Sequence, residues 1–432
     1  MKNLIEILNN HPKVDEWQII STNTSSNELF FIKDKLQMNR AKDVSKDIIT
    51  VFKNFEIDGK KFKGSSSTNL SSIYTSEEII KKINQAALAA SFVKNEYYDI
   101  PNPTDDKALK IESLFETRDF LKAIGNLVKD LYEEDKQFNA FVNSSEFFIN
   151  KRNVSIKNSK GIDVSFVNYN GEIELITEAQ GKVESIELFD TIYFSDYDQE
   201  AIKKAIKEQL YNTSLRALAV PLPNVGEIPV ILTGKSSMEL WNYYRVQADA
   251  GQKYQHVHNN NIGDNIQGEG ILGDKVTITL KPVIPNSIYN RYYDSDGMFL
   301  KEKLIIEDGV LKNFCATKRY ADYLNIEPTG NIGNVVVKQG SLSEKELKQG
   351  KYLEVISFSA FQSDPITGDF GGEFRLGIYF DGEKEIPVTL GTVSANIKDA
   401  QKEMFLSKEL VRANNFIAPK IIKFNKMTIA GN

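Results

Sequence analysis

Pro221, Pro223 and Pro229 crowd the stretch ALAVPLPNVGEIP at 217–229, which also carries a turn signal from Asn224 to Gly226. Proline fixes φ and lacks a donor, so neither a helix nor a central strand runs through such a stretch. The texture differs on its two sides. Upstream, helical and strand patterns alternate; downstream, strands dominate. A chain of 432 residues exceeds one ordinary core. The expectation is an α+β protein of two domains. Residues 1–216 form an N-terminal α+β domain, a sheet with packed helices, and residues 217–432 form a mostly antiparallel β domain with few helices.

In the first half, Thr75 and Glu78 form a capping-box signature, followed by Ile79, Ile80, Ile83, Ala86, Ala87 and Ala90 at helical spacing. The alanines suggest a helix lying close against a sheet. Amphipathic spacing predicts further helices at 2–9, from about 114 to 131, and at 198–210. Alternation predicts strands at 17–20, 28–32, 46–55, 138–142, 146–151, 154–157, 162–168, 172–179 and 192–194, with turns at TNTSSN and NSKG. In the second half the expected strands are 230–232, 275–280, 304–306, 334–338, 352–358, 374–380, 386–390 and 421–428, with helices near 237–251 and 398–410.

Composition narrows the chemistry. No run approaches the roughly 18–20 apolar residues of a membrane helix. The N-terminal MKNLIEILNN is broken by Glu6 and Asn9, unlike a secretory signal, so the expected location is the cytoplasm. Cys315 is the only cysteine and His11, His256 and His258 are the only histidines, so a Cys-based zinc cluster is excluded and a three-His site would consume them all. The net charge is −6, and lysines sit beside acids on helices, which argues against a nucleic-acid surface.

A succession of segments carries a resemblance. DSDG at 294–297 leads into LIIEDGVL at 304–311, then TGN at 329–331, FQSDPITGDFG at 361–371, GIYFDG at 377–382, PVTLG at 387–391 and MTIAG at 427–431. In this order and spacing the chain resembles the TldD/PmbA family, also called the modulator of DNA gyrase family. The first half is compatible, with NSKGID at 158–163 in the place of a family turn. The resemblance implies a two-domain α+β architecture and a protease pairing. The TldD branch is a zinc metallopeptidase with an HExxxH helix and a cysteine near the C-terminus. The PmbA or TldE branch lacks those ligands and partners the first. Here the corresponding helix, 236–250, contains no histidine, Glu239 and Asp249 are too far apart to replace the pair, and the segment 411–418 has no cysteine. The resemblance therefore points to the non-catalytic branch.

Other constellations admit a plain structural role beside a functional one. His256 and His258 would share a side in a strand and could reach one metal ion with Asp264 or Cys315 as a third ligand; the polar HNNNIGDN context favours loop histidines instead. Cys315 reads as a buried inert thiol. Asp364 and Asp369 read as turn residues that bond their own backbone. GDFGG at 368–372 reads as a strand entry, not a phosphate loop. Trp241, Tyr243 and Tyr244 read either as core or as a partner interface. The expectation is a PmbA/TldE-like subunit that is not catalytic alone. It holds no cofactor, pairs with a TldD-like subunit that carries zinc and acts on unfolded or leader peptides; whether the isolated chain forms a homodimer stays open. Two alternatives stay open: a stand-alone metal-dependent hydrolase using His256 and His258, and a gyrase- or nucleic-acid-associated regulator.

Overall fold

The structure, a computed structural model, describes residues 2–431 apart from 72, 117–119 and 135–137. The first half is one sheet with helices. Its elements are α1 (Lys2–Asn9), β1 (Glu16–Ile32), β2 (Lys35–Ile57), β3 (Lys60–Leu70), α2 (Ser76–Ala90), β4 (Asn95–Glu96), α3 (Phe120–Glu134), β5 (Ala140–Asn158), β6 (Asp163–Gln180), β7 (Ser185–Phe194) and α4 (Gln199–Leu218). The seven strands lie in the order β4-β3-β2-β1-β5-β6-β7, every neighbour antiparallel.

Two separate cores sit on this sheet. Leu8 of α1 and Ile83, Ala86, Ala87 and Ala90 of α2 pack on Trp17, Ile19, Ile49 and Val51. Ile124, Leu127 and Leu131 of α3, with Ile202, Ile206 and Leu210 of α4, pack on Phe147, Ile149, Ile173 and Leu175. The Thr75 capping box forms as its spacing predicts: Glu78 N donates to Thr75 Oγ1 at 3.3 Å and Thr75 N donates to Glu78 Oε2 at 2.8 Å. The alanine face does bring α2 close to the sheet. A Cβ on Gly64 of β3 would lie 1.9 Å from Ala90 O, so only glycine fits there.

The strands are longer than the sequence predicts. TNTSSN, expected as a turn, lies inside β1. The polar residues there bond across strands: Asn23 Nδ2 to Ser45 Oγ at 2.9 Å and Ser26 Oγ to Asn150 Oδ1 at 2.6 Å, with Ser25 bonding Asp43. These pairs replace the apolar alternation that normally signals a strand. Three expected pieces likewise run together in β5 and two in β6. The NSKG turn forms, with Gly161 at φ 101° and Asn158 Oδ1 accepting from Ile162 N at 3.0 Å.

The second half contains β8 (Val220–Pro221), β9 (Val230–Thr233), α5 (Gly234–Glu239), α6 (Trp241–Gln247), α7 (Ala250–Tyr254), β10 (Ile278–Lys281), β11 (Lys303–Glu307), β12 (Val310–Leu311), α8 (Lys318–Leu324), β13 (Asn334–Val337) and α9 (Glu344–Leu347). The long hairpin β14 (Tyr352–Ser363) and β15 (Asp369–Phe380) follows, then β16 (Glu385–Thr389), β17 (Gly391–Asn396), α10 (Ile397–Ala400), β18 (Met404–Leu406), β19 (Leu410–Ala413), β20 (Phe416–Pro419), β21 (Ile421–Phe424) and β22 (Thr428–Gly431). Six strands form one sheet, β12-β11-β10-β13-β20-β19. Nine form another around β18-β21-β9-β14-β15-β16-β8, with β17 paired to β15 and β22 paired to β17. The core between them holds Trp241, Tyr244, Ile278, Val335, Leu353, Phe374 and Phe424. The helix expected at 398–410 is only one turn, because Met404 and Leu406 are drawn into pairing with Phe424 and Ile422. No helix among the described residues is long and apolar enough to cross a membrane.

Candidate functional site

The segment 234–254 is where the family resemblance would place catalytic chemistry. Gly234, at φ 68°, turns the chain from β9 into α5, and Leu240 in helical conformation passes it on to α6. The single helix expected at 237–251 is instead three short ones. Tertiary pairing breaks it: Cys315 N donates to Ala248 O at 2.7 Å and Ala250 N donates to Cys315 O at 3.0 Å, pulling Asp249 into an extended conformation. The Asp249 carboxylate then caps α7, accepting from Gln252 N at 2.8 Å.

The aromatic trio on α6 is interior. Trp241, Tyr243 and Tyr244 are 0%, 4% and 1% exposed. Tyr243 meets Tyr244 edge to face at 5.3 Å, and Tyr244 Oη donates to Gln401 Oε1 at 2.8 Å. Of the two readings of these three rings, the structure shows the core one: they pack between the two sheets. Trp241 also buries its indole N–H without a partner among the described residues.

The resemblance also brought in a metal, and the residues can be tested against it. Glu239 is the only acid on α5 and α6. An HExxxH register centred on it places Met238 before it and Tyr243 four residues after, both buried in the core. A thioether and a phenol packed among apolar side chains do not fit a zinc site, which takes imidazole, thiolate or carboxylate. Glu239 itself reaches the surface, and the surrounding protein holds its carboxyl above the ordinary carboxylate value. The other segment of that motif, 411–418, forms β19, a turn at Asn414 and β20, and α5 touches β19. The fold thus brings the two segments together without the residues a zinc site needs.

His256 and His258 do not form the same-sided pair expected of a strand. His256 is the left-handed residue that ends α7, at φ 60°, with Val257 N donating to Gln252 O at 3.0 Å; it is exposed. His258 is buried, its ring stacked on Phe314 and its Nε2 3.1 Å from Asp249 O, and burial lowers its pKa. Among the described residues, no group of three His, Cys, Asp or Glu side chains is placed to hold a metal ion. Burial, then the nearby Asp249, pushes the Cys315 thiol up to about 11. It stays protonated at neutral pH, and a nucleophile needs the thiolate.

Two further motifs prove architectural. Asp294 is buried and its carboxylate accepts from Asp296 N at 2.9 Å, Met298 N at 3.0 Å and Asn331 N at 3.2 Å. It ties the DSDG turn to the TGN loop. The turn also meets the first sheet: Gln18 Nε2 donates to Ser295 O at 2.5 Å, and a Cβ on Gly297 would lie 2.7 Å from Ile162 Cγ2. Asp364 Oδ1 accepts from Ile366 N at 2.8 Å and Thr367 N at 3.1 Å, the turn role its sequence suggests.

Asp296 gives this turn a pH dependence. Burial, and then the charge of Asp294, push its carboxyl from 3.8 to about 6. The folded state holds this proton more tightly than the unfolded chain. Its contribution is therefore full below the unfolded value and lost as pH rises through about 6. Asp296→Asn is expected to raise the melting temperature at pH 7.5 and to flatten its fall between about pH 4 and 6. Parallel melting series would show this, and identical slopes in both proteins would contradict it.

One site with room for a ligand is a cleft of about 870 Å³ that the sequence does not single out. One wall is the loop 223–228 that follows the proline-rich stretch. The other is β22 with α10 and the turn after it. The aromatic helix α6 backs this wall through the Tyr244–Gln401 bond. Four of the five wall charges are paired, Lys402 with Asp399 at 3.2 Å and Lys426 with Glu403 at 3.3 Å, and Glu227 is the fifth. β22 pairs only with β17 among the described residues, from Gly391 opposite Gly431 to Ser394 opposite Thr428. A cleft of small net charge along a strand with one free edge suits an extended backbone better than a charged small molecule. The available signals were the VPLPNVG turn and the terminal MTIAG strand, but neither says that the two meet.

Comparison with known proteins bears on this geometry. Residues 225–431 match the family described as PmbA/TldA metallopeptidase C-terminal domain. The chain is similar to the metalloprotease PmbA of Escherichia coli O157:H7, 28% identical over 170 residues and 38% of each chain. It is also similar to a zinc metalloprotease TldD homolog of Saccharolobus solfataricus, 29% identical over 149 residues, 30% of this chain and 33% of that one. The chain spans about half or less of the length of three curated relatives it matches, 49%, 46% and 38%. The crystal structure of TldE from Thermococcus kodakarensis superposes over 100% of both chains with a TM-score of 0.80 at 20% identity, a likeness of fold. The whole chain thus has the α+β fold of that TldE structure, and its C-terminal domain, residues 225–431, belongs to the PmbA/TldD family.

Proposed function

We propose that this chain is the non-catalytic subunit of a two-subunit peptidase. It pairs in the cytoplasm with a TldD-like metallopeptidase that supplies the zinc, and it helps enclose an unfolded or leader-type peptide. The observation that carries this reading is the helical segment 234–247: where an HExxxH helix would present two imidazoles it has no histidine, and its Met238, Trp241, Tyr243 and Tyr244 are packed into the core. The likeness in fold to a TldE supports it, as does the cleft beside β22, which supplies backbone groups and little net charge to an extended chain. The stand-alone hydrolase finds less support, since His256 closes a helix on the surface while His258 is buried against Phe314. The net charge of −6 argues against a DNA-binding role.

The test is a peptidase assay with metal analysis on this chain, on the TldD-like subunit of the same organism, and on their mixture. The expected result is a chain that is metal-free and inert alone, co-purifies with the other subunit, and leaves peptide cleavage confined to samples containing that subunit. Stoichiometric zinc and cleavage by this chain alone would overturn the proposal.

A further inference from the structure

The first sheet carries a hairpin that no described residue covers. β3 begins to pair with β2 at Asp47, opposite Leu70, whereas β2 starts at Lys35. Residues 35–46 therefore have β1 on one side and no described strand on the other. Every residue from 32 to 46 is exposed. At roughly 3.4 Å per residue the free edge runs for about 40 Å. Such a row of unpaired N–H and C=O groups is a template for a further strand. It is also apolar in places: Leu36, Met38 and Val44 are 50%, 45% and 51% exposed.

Its charge says what would cover it. Between 33 and 46 stand Lys33, Lys35, Arg40, Lys42 and Lys46 against Asp34 and Asp43, a net +3 on a chain of net −6. Arg40 and Lys42 both converge on Glu28 of β1, so even with that carboxylate the tip remains cationic. A second copy of this chain complements it poorly. Antiparallel self-pairing with Leu36 opposite Val44 sets Arg40 against Arg40, and with Met38 opposite Val44 sets Arg40 against Lys42. Like charges directly opposite destabilise a strand pair.

We infer that the free edge of β2, residues 35–46, receives by strand addition an extended segment of another polypeptide that carries acidic residues at alternate positions. That this polypeptide is the metallopeptidase subunit rests on the function proposed above; the chemistry of the edge does not.

Two binding measurements separate these points. The first uses a fluorescent peptide of alternating glutamate and valine, read by anisotropy at low salt. Wild type is expected to bind it, and Met38→Pro and Lys35→Glu/Lys46→Glu to bind at least about tenfold more weakly. Lys35→Arg/Lys46→Arg should bind like wild type, with melting temperatures unchanged throughout. No binding by wild type, or equal binding by all variants, overturns the inference. The second measures association with the purified TldD-like subunit. Weakening by the same two variants supports the edge as the subunit contact, and equal association of every variant overturns it. Should no variant and no wild type associate, the subunit reading fails while the peptide still reads the edge. A wild-type dimer that Met38→Pro makes monomeric would assign the edge to a second copy and overturn the acidic partner.

Discussion

Trp241→Ala is expected to lower the free energy of unfolding of the second half by about 3–5 kcal/mol. The side chain is 0% exposed and lies in the core between the two C-terminal sheets, its ring 6.0 Å from that of Tyr244. Truncation leaves a cavity at the junction of α5 and α6, whose short helices cannot collapse into it without dragging β9 and β14. Trp241→Phe is the informative control. It keeps most of the apolar volume and removes an indole N–H that has no partner among the described residues, so its cost should be far smaller. Urea unfolding of the three proteins distinguishes the readings. A small loss in Trp241→Ala would mean that α6 is a loosely held surface element and would reopen its role as a partner contact.

Lys63→Ala carries a comparable effect, about 3–5 kcal/mol, for a different reason. The Lys63 side chain is 0% exposed and its ammonium pairs with Glu16. Phe52, Tyr97 and Tyr98 place their rings 5.7, 4.8 and 5.2 Å from it. Removing the ammonium strands a mostly buried carboxylate, and the remaining neighbour, Lys160, is 3.6 Å away. The damage should spread across the seam between the halves. Tyr98 stands edge-on to Tyr323 at 5.9 Å and lies 5.4 Å from the Arg319 guanidinium, while Arg319 Nη2 donates to Asn95 Oδ1 at 2.8 Å. Lys63→Met with Glu16→Gln removes both charges while keeping bulk, and should recover most of the loss. If the double variant is no better than Lys63→Ala, packing of the lysine stem, not its charge, is what matters.

The chemistry of residues read as turns, caps or core was legible wherever the signal was local. Thr75 with Glu78, Asp364 before its two amides, and the apolar spacing of Ile83, Ala86, Ala87 and Ala90 act through neighbours within one or two turns of chain. Sequence periodicity reports such neighbours directly. Strand continuity was not local. Asn23, Ser25 and Ser26 look like a turn until Ser45, Asp43 and Asn150 are placed beside them. The break in the expected helix at 237–251 is likewise invisible along the chain, because it is made by Cys315, a residue far away in sequence.

The sequence by itself determined that this chain divides its character near its proline-rich middle, and that its second half follows the order of PmbA/TldD motifs. It also determined that the helix expected to carry metal ligands has no histidine, since residue types need no coordinates. Only the tertiary structure decided that the Trp241 trio is core, that His256 and His258 face different surroundings, and that the loop 223–228 and strand Thr428–Gly431 meet to form a cleft. It also decided that β2 outruns its neighbour and leaves a cationic edge bare. The physical reason is the same in each case. Burial, cleft walls and free strand edges depend on which distant segments lie side by side, and that is fixed by the closing of the sheets.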